Sequence, residues 1–233
     1  MRYALVLAAL FALQLPASGA AVATHECDGL DVCISARGPW VAVPAARAGA
    51  LQTVYYRLSC PRNAVVGGLD AILGDRALDV RFFGKLGSPV NPGITTGRNA
   101  LFIATYAGRR PTAFRPVIGC IPTAGGGGGG TTRTVAAAQP QPPVRRVRTL
   151  VLRAGGVRGM VVRCRNGERL VGSSSAVGFR VNREPSEPVL AGTTAVRREG
   201  VRSVAVRARR GAAVPGSVRV EVQLHAVCAR STP

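Results

Sequence analysis

The stretch that decides the fold is Ser59-Cys60-Pro61-Arg62-Asn63-Ala64-Val65-Val66-Gly67-Gly68. It returns later in the chain as Arg163-Cys164-Arg165-Asn166-Gly167-Glu168-Arg169-Leu170-Val171-Gly172-Ser173. Each copy is followed, about 60 residues on, by a second cysteine, Cys120 in the first case and Cys228 in the second. A repeat with cysteines at matched ends predicts two tandem domains of one fold.

The chain begins with the layout of a secretory signal peptide. A basic start precedes an apolar run and small residues that permit cleavage after Ala23 or Ala20. That run is shorter than the about 20 residues needed to span a bilayer, and no later stretch qualifies. We therefore expect a soluble, exported protein, either periplasmic or extracellular. The predicted segments are a signal peptide (1–23), a disulfide-looped N-terminal segment (24–38), β-domain 1 (39–123), a Gly/Pro-rich linker (124–143) and a strongly basic β-domain 2 (144–233).

Six cysteines follow the signal segment. An even number in an exported chain favours three disulfides, although the sequence alone leaves many pairings open. If the two copies share a fold, the matched ends pair and the two remaining cysteines pair with each other. The predicted bridges are then Cys60–Cys120, Cys164–Cys228 and Cys27–Cys33. No Cys-x-x-Cys pair is present, so a zinc ribbon or a thioredoxin-like site has little support.

Apolar residues alternate with polar ones before the closing cysteines. From Val218 to Cys228 every second residue is apolar, while Arg219, Glu221, Gln223 and His225 occupy four of the five positions between them. This period of two predicts a half-buried strand with the cysteine on its inner face. No window has a sustained helical stripe, and β-branched valine dominates. We predict an all-β fold of two tandem small antiparallel β-sandwich or barrel domains, each closed by a disulfide.

Charge is concentrated in the second half. The chain has a formal net charge of +20, and all but one of its 31 basic residues are arginine. Residues 24–124 carry a net charge of +5, whereas residues 144–233 carry +13. A field of that sign attracts polyanions, so the expected partner is an anionic polymer of the cell envelope or the extracellular space. A solvated basic surface without a ligand is the alternative interpretation. The arginines proposed to bind the polymer are Arg145, Arg146, Arg197, Arg198, Arg207, Arg209, Arg210 and Arg219.

Aromatic residues are concentrated in the other half. Phe179 is the single aromatic residue of the second half. Proteins that bind single-stranded nucleic acid need stacking platforms beside a basic groove, so nucleic acid is not the favoured partner. Trp40, Tyr55 and Tyr106 of the first half could stack on a sugar ring, but packing is the commoner role of such residues.

No catalytic motif is found. The mature chain has two histidines and no serine in a nucleophile elbow, and every cysteine has an expected disulfide partner. We therefore predict a non-enzymatic binding or surface protein without a cofactor. The alternatives are a hydrolase acting on polysaccharide through aromatic residues and acids of the first half, and a purely structural matrix component. The candidate acids are Asp70, Asp75 and Asp79.

The N-terminal segment holds the one dense cluster of metal-capable groups. Acidic residues surround His25, Cys27 and Cys33. The cluster lacks the ligands of a calcium loop, so we predict no metal site and a small disulfide loop that anchors the N-terminus.

Cys60-Pro61, followed by Val65-Val66-Gly67-Gly68 and a closing Gly119-Cys120, resembles a pattern of uncharacterised exported bacterial β-rich proteins. That pattern is Cys-Pro-x(4)-Val-Gly-Gly followed by a final cysteine. The second copy has Arg165 in place of the proline. The resemblance implies a secreted β-domain and no particular activity. Glycines at this place also suit a strand that bends or bulges.

Overall fold

The computed structural model describes residues 24–30, 32–47, 49–83, 97–122 and 143–230. Strands make up 63% of the described residues and helix 3%, which confirms the all-β prediction. The predicted signal peptide and nearly all of the predicted linker lie outside the described residues. The elements are β1 (Ile34–Arg37), β2 (Trp40–Val43), β3 (Gln52–Ser59), β4 (Ala64–Leu73), β5 (Leu78–Phe83), β6 (Asn99–Tyr106), β7 (Thr112–Pro122), β8 (Val144–Leu152), β9 (Val157–Arg163), β10 (Glu168–Arg180), α1 (Glu187–Ala191), β11 (Thr193–Glu199), β12 (Ser203–Arg210) and β13 (Arg219–Arg230).

Strand pairing follows one order in both halves of the chain. In the first half β7 lies between β2 and β4, and β6 lies between β3 and β5. In the second half β13 lies between β8 and β10, and β12 lies between β9 and β11. All of these pairs are antiparallel. The two stretches that resemble each other in sequence therefore open equivalent strands, β4 and β10.

A single sheet nevertheless runs through both halves. β2 pairs with β10 through Val41 opposite Gly178 and Trp40 opposite Phe179. Across the resulting central sheet the strands are β4, β7, then β1 and β2, then β10, β13 and β8. β1 and β2 both pair with β7. Because strands of the two halves are hydrogen-bonded neighbours, the division into two separate domains stays a prediction.

Two smaller sheets cover opposite faces of the central sheet. The front sheet (β3, β6, β5) packs on Val41 and Phe114, and the back sheet (β11, β12, β9) packs with Trp40 and Phe179. Trp40 and Val41 are adjacent on β2, so their side chains point to opposite faces of the sheet. The described residues therefore form two cores, one on each face of the central sheet.

Three disulfides close the structure as the repeat predicts. Sulfur–sulfur bonds join Cys60 to Cys120, Cys164 to Cys228 and Cys27 to Cys33. Cys120 and Cys228 lie on β7 and β13, Cys60 and Cys164 directly follow β3 and β9, and all four are buried. Each long bridge closes a loop of 60 or 64 residues. Closure of such a loop stabilises the fold by roughly 4 kcal/mol in the chain-entropy model. Three disulfides indicate an oxidising, extracytoplasmic environment.

The glycines after Cys60 have a structural role. The register of β4 against β7 shifts between Val66 and Gly68, and β10 has a matching irregularity between Leu170 and Gly172. A Cβ atom on Gly68 would collide with the backbone of Glu26 in the N-terminal segment. The motif therefore forms a bulge, and its second glycine seats the segment that carries the Cys27–Cys33 loop.

β13 is buried on both faces, whereas its sequence predicts a half-buried strand. Glu221, Gln223 and His225 have exposed fractions of 3%, 4% and 0%. Their side chains face β3 of the first half, where the backbone N–H of Arg57 donates to Gln223 Oε1 over 2.6 Å. Gln223 Nε2 donates back to the Arg57 carbonyl over 3.0 Å. The prediction of a solvated polar face was wrong because the other half of the chain covers it.

Candidate anion-binding face

The outer face of the back sheet carries a group of exposed arginines. Arg207 and Arg209 alternate on β12 with Val206 and Ala208, whose side chains point into the back core. Arg198 on β11 lies opposite Ala205 of β12, the outward position next to Arg207. Residues opposite each other in a sheet project from the same face, so Arg198 joins the two arginines of β12.

A fourth arginine comes from β9. Arg163 lies opposite Ser203, which shares the outward face with Arg207 and Arg209. It is absent from the arginines predicted as ligand contacts, although its alternation with Val162 and Cys164 places it outward. We call Arg163, Arg198, Arg207 and Arg209 the arginine face.

The geometry of the arginine face suits an extended anion. Outward neighbours on one strand are about 7 Å apart, and adjacent strands are about 4.8 Å apart. The four side chains are exposed and, within the described residues, make no hydrogen bond or ion pair. Their guanidinium groups are therefore free to donate to a ligand, and each offers a planar fork that matches phosphate, sulfate or carboxylate oxygens.

Acidic side chains of the second half are held elsewhere. Glu221 is buried beside Arg180, and Glu168 pairs with Arg146 at 2.8 Å. Hydrogen bonds from the Arg146 side chain and the Arg165 backbone hold the pKa of Glu168 below its usual value. Glu199 accepts from the Ser173 hydroxyl on the central sheet. Within the described residues, no carboxylate forms a hydrogen bond or an ion pair with the arginine face.

The remaining predicted arginines are not part of this face. Arg197 pairs with Glu199, Arg146 pairs with Glu168, and Arg145 lies 5.1 Å from the ring centroid of Tyr55. Arg219 is exposed at the start of β13, on a different sheet.

Arg210 was wrongly predicted to be a surface contact. Its exposed fraction is 4%, and its guanidinium donates to the carbonyls of Val214 and Pro215. The alternation of β12 places Arg210 inward, on the same side as Ala208. It ties the loop that follows β12 to the strand.

Several aromatic residues considered for sugar stacking are buried. Trp40 has an exposed fraction of 6%, and Tyr106, at 3%, donates its hydroxyl to Asp75 Oδ2 over 2.9 Å. Tyr55 is half-buried beneath Arg145.

The acids considered for hydrolysis each have a separate partner. Asp70 accepts from the backbone N–H of His25 over 2.8 Å, and Asp79 pairs with Arg81. Asp75 accepts from the Ala77 backbone and from Tyr106, which lowers the pKa of its carboxyl.

Metal-capable groups approach one another at Cys164, Glu168 and Cys228. Both sulfurs belong to the Cys164–Cys228 disulfide, so neither can act as a thiolate ligand. In the N-terminal segment, His25 Nδ1 lies 2.7 Å from Asp28 Oδ2, and the Cys27–Cys33 bridge forms the predicted loop. Asp31 lies outside the described residues.

The fold and the site define a disulfide-bonded all-β protein with a cationic sheet face. The chain matches no protein-family model and no curated protein. Within the part of the chain that the structure describes, no helix is long and apolar enough to cross a membrane.

Proposed function

We propose that this chain is an exported, non-enzymatic binding protein whose arginine face associates with an anionic polymer of the cell envelope or its surroundings. The observation that carries the proposal is the cluster Arg163, Arg198, Arg207 and Arg209, which is exposed on one sheet face and, within the described residues, pairs with no carboxylate. A cationic surface of this kind concentrates a polyanion by its field and then binds it through charge-assisted hydrogen bonds.

The same face favours a ligand without a base sequence to read. The strands of the back sheet contain no aromatic residue, so bases would find no ring on which to stack. Polysaccharides and phosphodiester polymers present their charges along a chain and need no such platform. Affinity would then depend on charge density and fall steeply with salt.

We also propose that the chain is built as two tandem β-domains that arose from one repeat. The shared order of strand pairing, the matched disulfides and the matched bulges support this organisation. Export through the predicted signal peptide is consistent with the three bridges. The second domain would present the arginine face, while the first would pack against it through β2 and β3.

Retention on a polyanion matrix tests the binding proposal. The triple variant Arg198→Glu, Arg207→Glu and Arg209→Glu should elute from a heparin column at a much lower salt concentration than the wild type. All three side chains are exposed and unpaired, so folding should survive. The control is Arg62→Glu, Arg76→Glu and Arg109→Glu, which makes the same change in net charge on exposed residues of the first half.

The comparison of the two triple variants shows whether binding depends on a localised face or on total charge. A larger loss of retention in the back-sheet variant supports a localised face. Equal losses would indicate that only total charge matters, and the arginine face would then be a solvated surface.

A further inference from the structure

A cleft of about 510 Å³ opens where β2 and β10 diverge. These strands pair only at Trp40 opposite Phe179 and Val41 opposite Gly178. Continued in register, Ala42 would face Val177 and Val43 would face Ala176, but neither pair forms. The cleft volume lies within the range of about 300–1,000 Å³ that small-ligand sites occupy.

Both main-chain edges at this divergence lack a strand partner. Ala42 and Val43 are bonded to β7 on one side, and Ser175 to Val177 are bonded to β13 on one side. Their other edges face the cleft, and within the part of the chain that the structure describes no backbone hydrogen bond joins them. Edges of this kind offer N–H and carbonyl groups in the pattern that an additional strand would satisfy.

The side chains that line the cleft are mostly small and apolar. β3 contributes Val54 from the front side, while Leu190 of α1 and Ala195 of β11 lie on the back side. The buried hydroxyl oxygen of Thr193, which also lines the cleft, has no hydrogen-bond partner among the described residues. Because the lining side chains are small, short side chains on either face of an inserted strand have room in the cleft.

One charge lies at the cleft. Arg47 is the only charged residue of its lining; it is exposed and makes no side-chain hydrogen bond or ion pair within the described residues. An anionic group at the end of the ligand would complement this guanidinium.

We propose that the cleft binds a short extended peptide with small apolar side chains, whose C-terminal carboxylate pairs with Arg47. The peptide would lie between β2 and β10 and hydrogen-bond to their free edges, which is recognition by strand addition. A fatty acid would also offer a carboxylate, but its alkyl chain would leave the polar edges and Thr193 unsatisfied. This site is separate from the arginine face and does not depend on its function.

Titration calorimetry of the full-length protein with acetyl-Val-Ala-Val-Ala, as the free acid and as the C-terminal amide, tests the proposal. Trp40, the only tryptophan, lies on β2 beside the cleft, so its fluorescence gives a second readout. The free acid should bind with a sub-millimolar Kd and at least about tenfold more tightly than the amide, since one charge-assisted pair distinguishes them.

Variants separate the elements of the site. Arg47→Glu should weaken binding of the acid by about tenfold and leave the amide nearly unchanged. Ala191→Phe, at an exposed position of the wall, should abolish binding of both peptides without loss of thermal stability. The matched control Arg62→Glu should bind both peptides like the wild type.

Three results would overturn the proposal. The first is no detectable binding of the free acid at about 1 mM, the upper limit for a sub-millimolar Kd. The second is equal affinity for the acid and the amide. The third is tighter binding of dodecanoate than of the acid peptide.

Discussion

The hydroxyl of Tyr56 on β3 donates a 2.5 Å hydrogen bond to Glu221 Oε1 on β13, which joins the two halves of the chain across 165 residues. Arg180 Nε donates to the other carboxylate oxygen at 2.8 Å. Burial, together with the nearby Glu221 charge, raises the pKa of Tyr56. The phenol therefore stays protonated and remains a donor, so the buried carboxylate is satisfied from both halves.

Removal of this hydroxyl should destabilise the protein. Tyr56→Phe leaves one oxygen of a buried carboxylate without its main donor, and we expect a loss of about 1–3 kcal/mol in the free energy of unfolding. Urea denaturation followed by tryptophan fluorescence measures the change. The control Tyr55→Phe removes a hydroxyl from the adjacent, half-buried residue, whose ring can still contact Arg145, and should cost little. Equal stability of the two variants would contradict the role of the Tyr56–Glu221 bond.

The sequence predicts the inner face of β13 but not its outer face. Val220, Val222 and Cys228 follow a period of two, and all are buried in the back core as expected. Glu221 and His225 fall on the alternate face, where polar residues normally indicate solvent. The Tyr56 partner of Glu221 lies 165 residues earlier on β3, and Arg145 lies 80 residues before His225. No local pattern can report contacts over such distances.

His225 should make the folded state sensitive to acid. Burial, reinforced by the charges of Arg145 and Arg57, lowers the pKa of His225 to about 3. Its Nε2 lies 2.7 Å from Gln223 Oε1, which can only accept, so that nitrogen carries the proton of a neutral ring. Between pH 6.5 and about 3 the unfolded chain binds a proton at this position that the folded chain cannot bind.

Stability should therefore decline as the pH falls from 6.5 towards 3, by roughly 3–5 kcal/mol from this residue. Urea unfolding across that range should show a smaller decline in His225→Gln than in the wild type. His25→Gln is the control, because the Asp28 side chain raises the pKa of His25, so protonation there favours the folded state. An identical acid response in the wild type and His225→Gln would refute the prediction.

Gly68 should tolerate no side chain. A Cβ atom at this position meets the backbone of Glu26, which directly precedes the loop closed by Cys27 and Cys33. Gly68→Ala should force the N-terminal segment off β4 and cost about 1–3 kcal/mol, the usual range for overpacking. Gly216→Ala is the matched control, because nothing lies within 4 Å of its Cβ position. Calorimetry measures the melting temperatures of the two variants. Equal melting temperatures would contradict the proposal that Gly68 lets the N-terminal segment pack against β4.

The arginine face could be predicted in part. Alternation along β12 separates Arg207 from Ala208, and the same rule applied to β9 would have found Arg163. Grouping arginines by their adjacency in the sequence places the inward Arg210 with the outward Arg209. The pairing of β12 with both β9 and β11, which unites the face, depends on contacts between distant strands and is invisible to composition.

Arg209 and Arg210 should respond in opposite ways to the same substitution. Arg209 is exposed on the arginine face, whereas Arg210 is buried and donates to the carbonyls of Val214 and Pro215. Arg209→Gln should leave unfolding within about 0.5 kcal/mol of the wild type. It should also weaken heparin binding. The slope of the logarithm of the association constant against the logarithm of the salt concentration should shrink by up to about 0.9, because the variant has one guanidinium fewer to displace counterions from the polymer.

Arg210→Gln should cost about 1–3 kcal/mol of stability, since buried carbonyls lose their donor. Its heparin affinity, measured well below the unfolding transition, should equal that of the wild type. Each substitution removes one positive charge from neighbouring residues, so net charge cannot account for a difference between them. Equal losses of heparin affinity would mean that binding follows total charge, and the arginine face would then have no specific role.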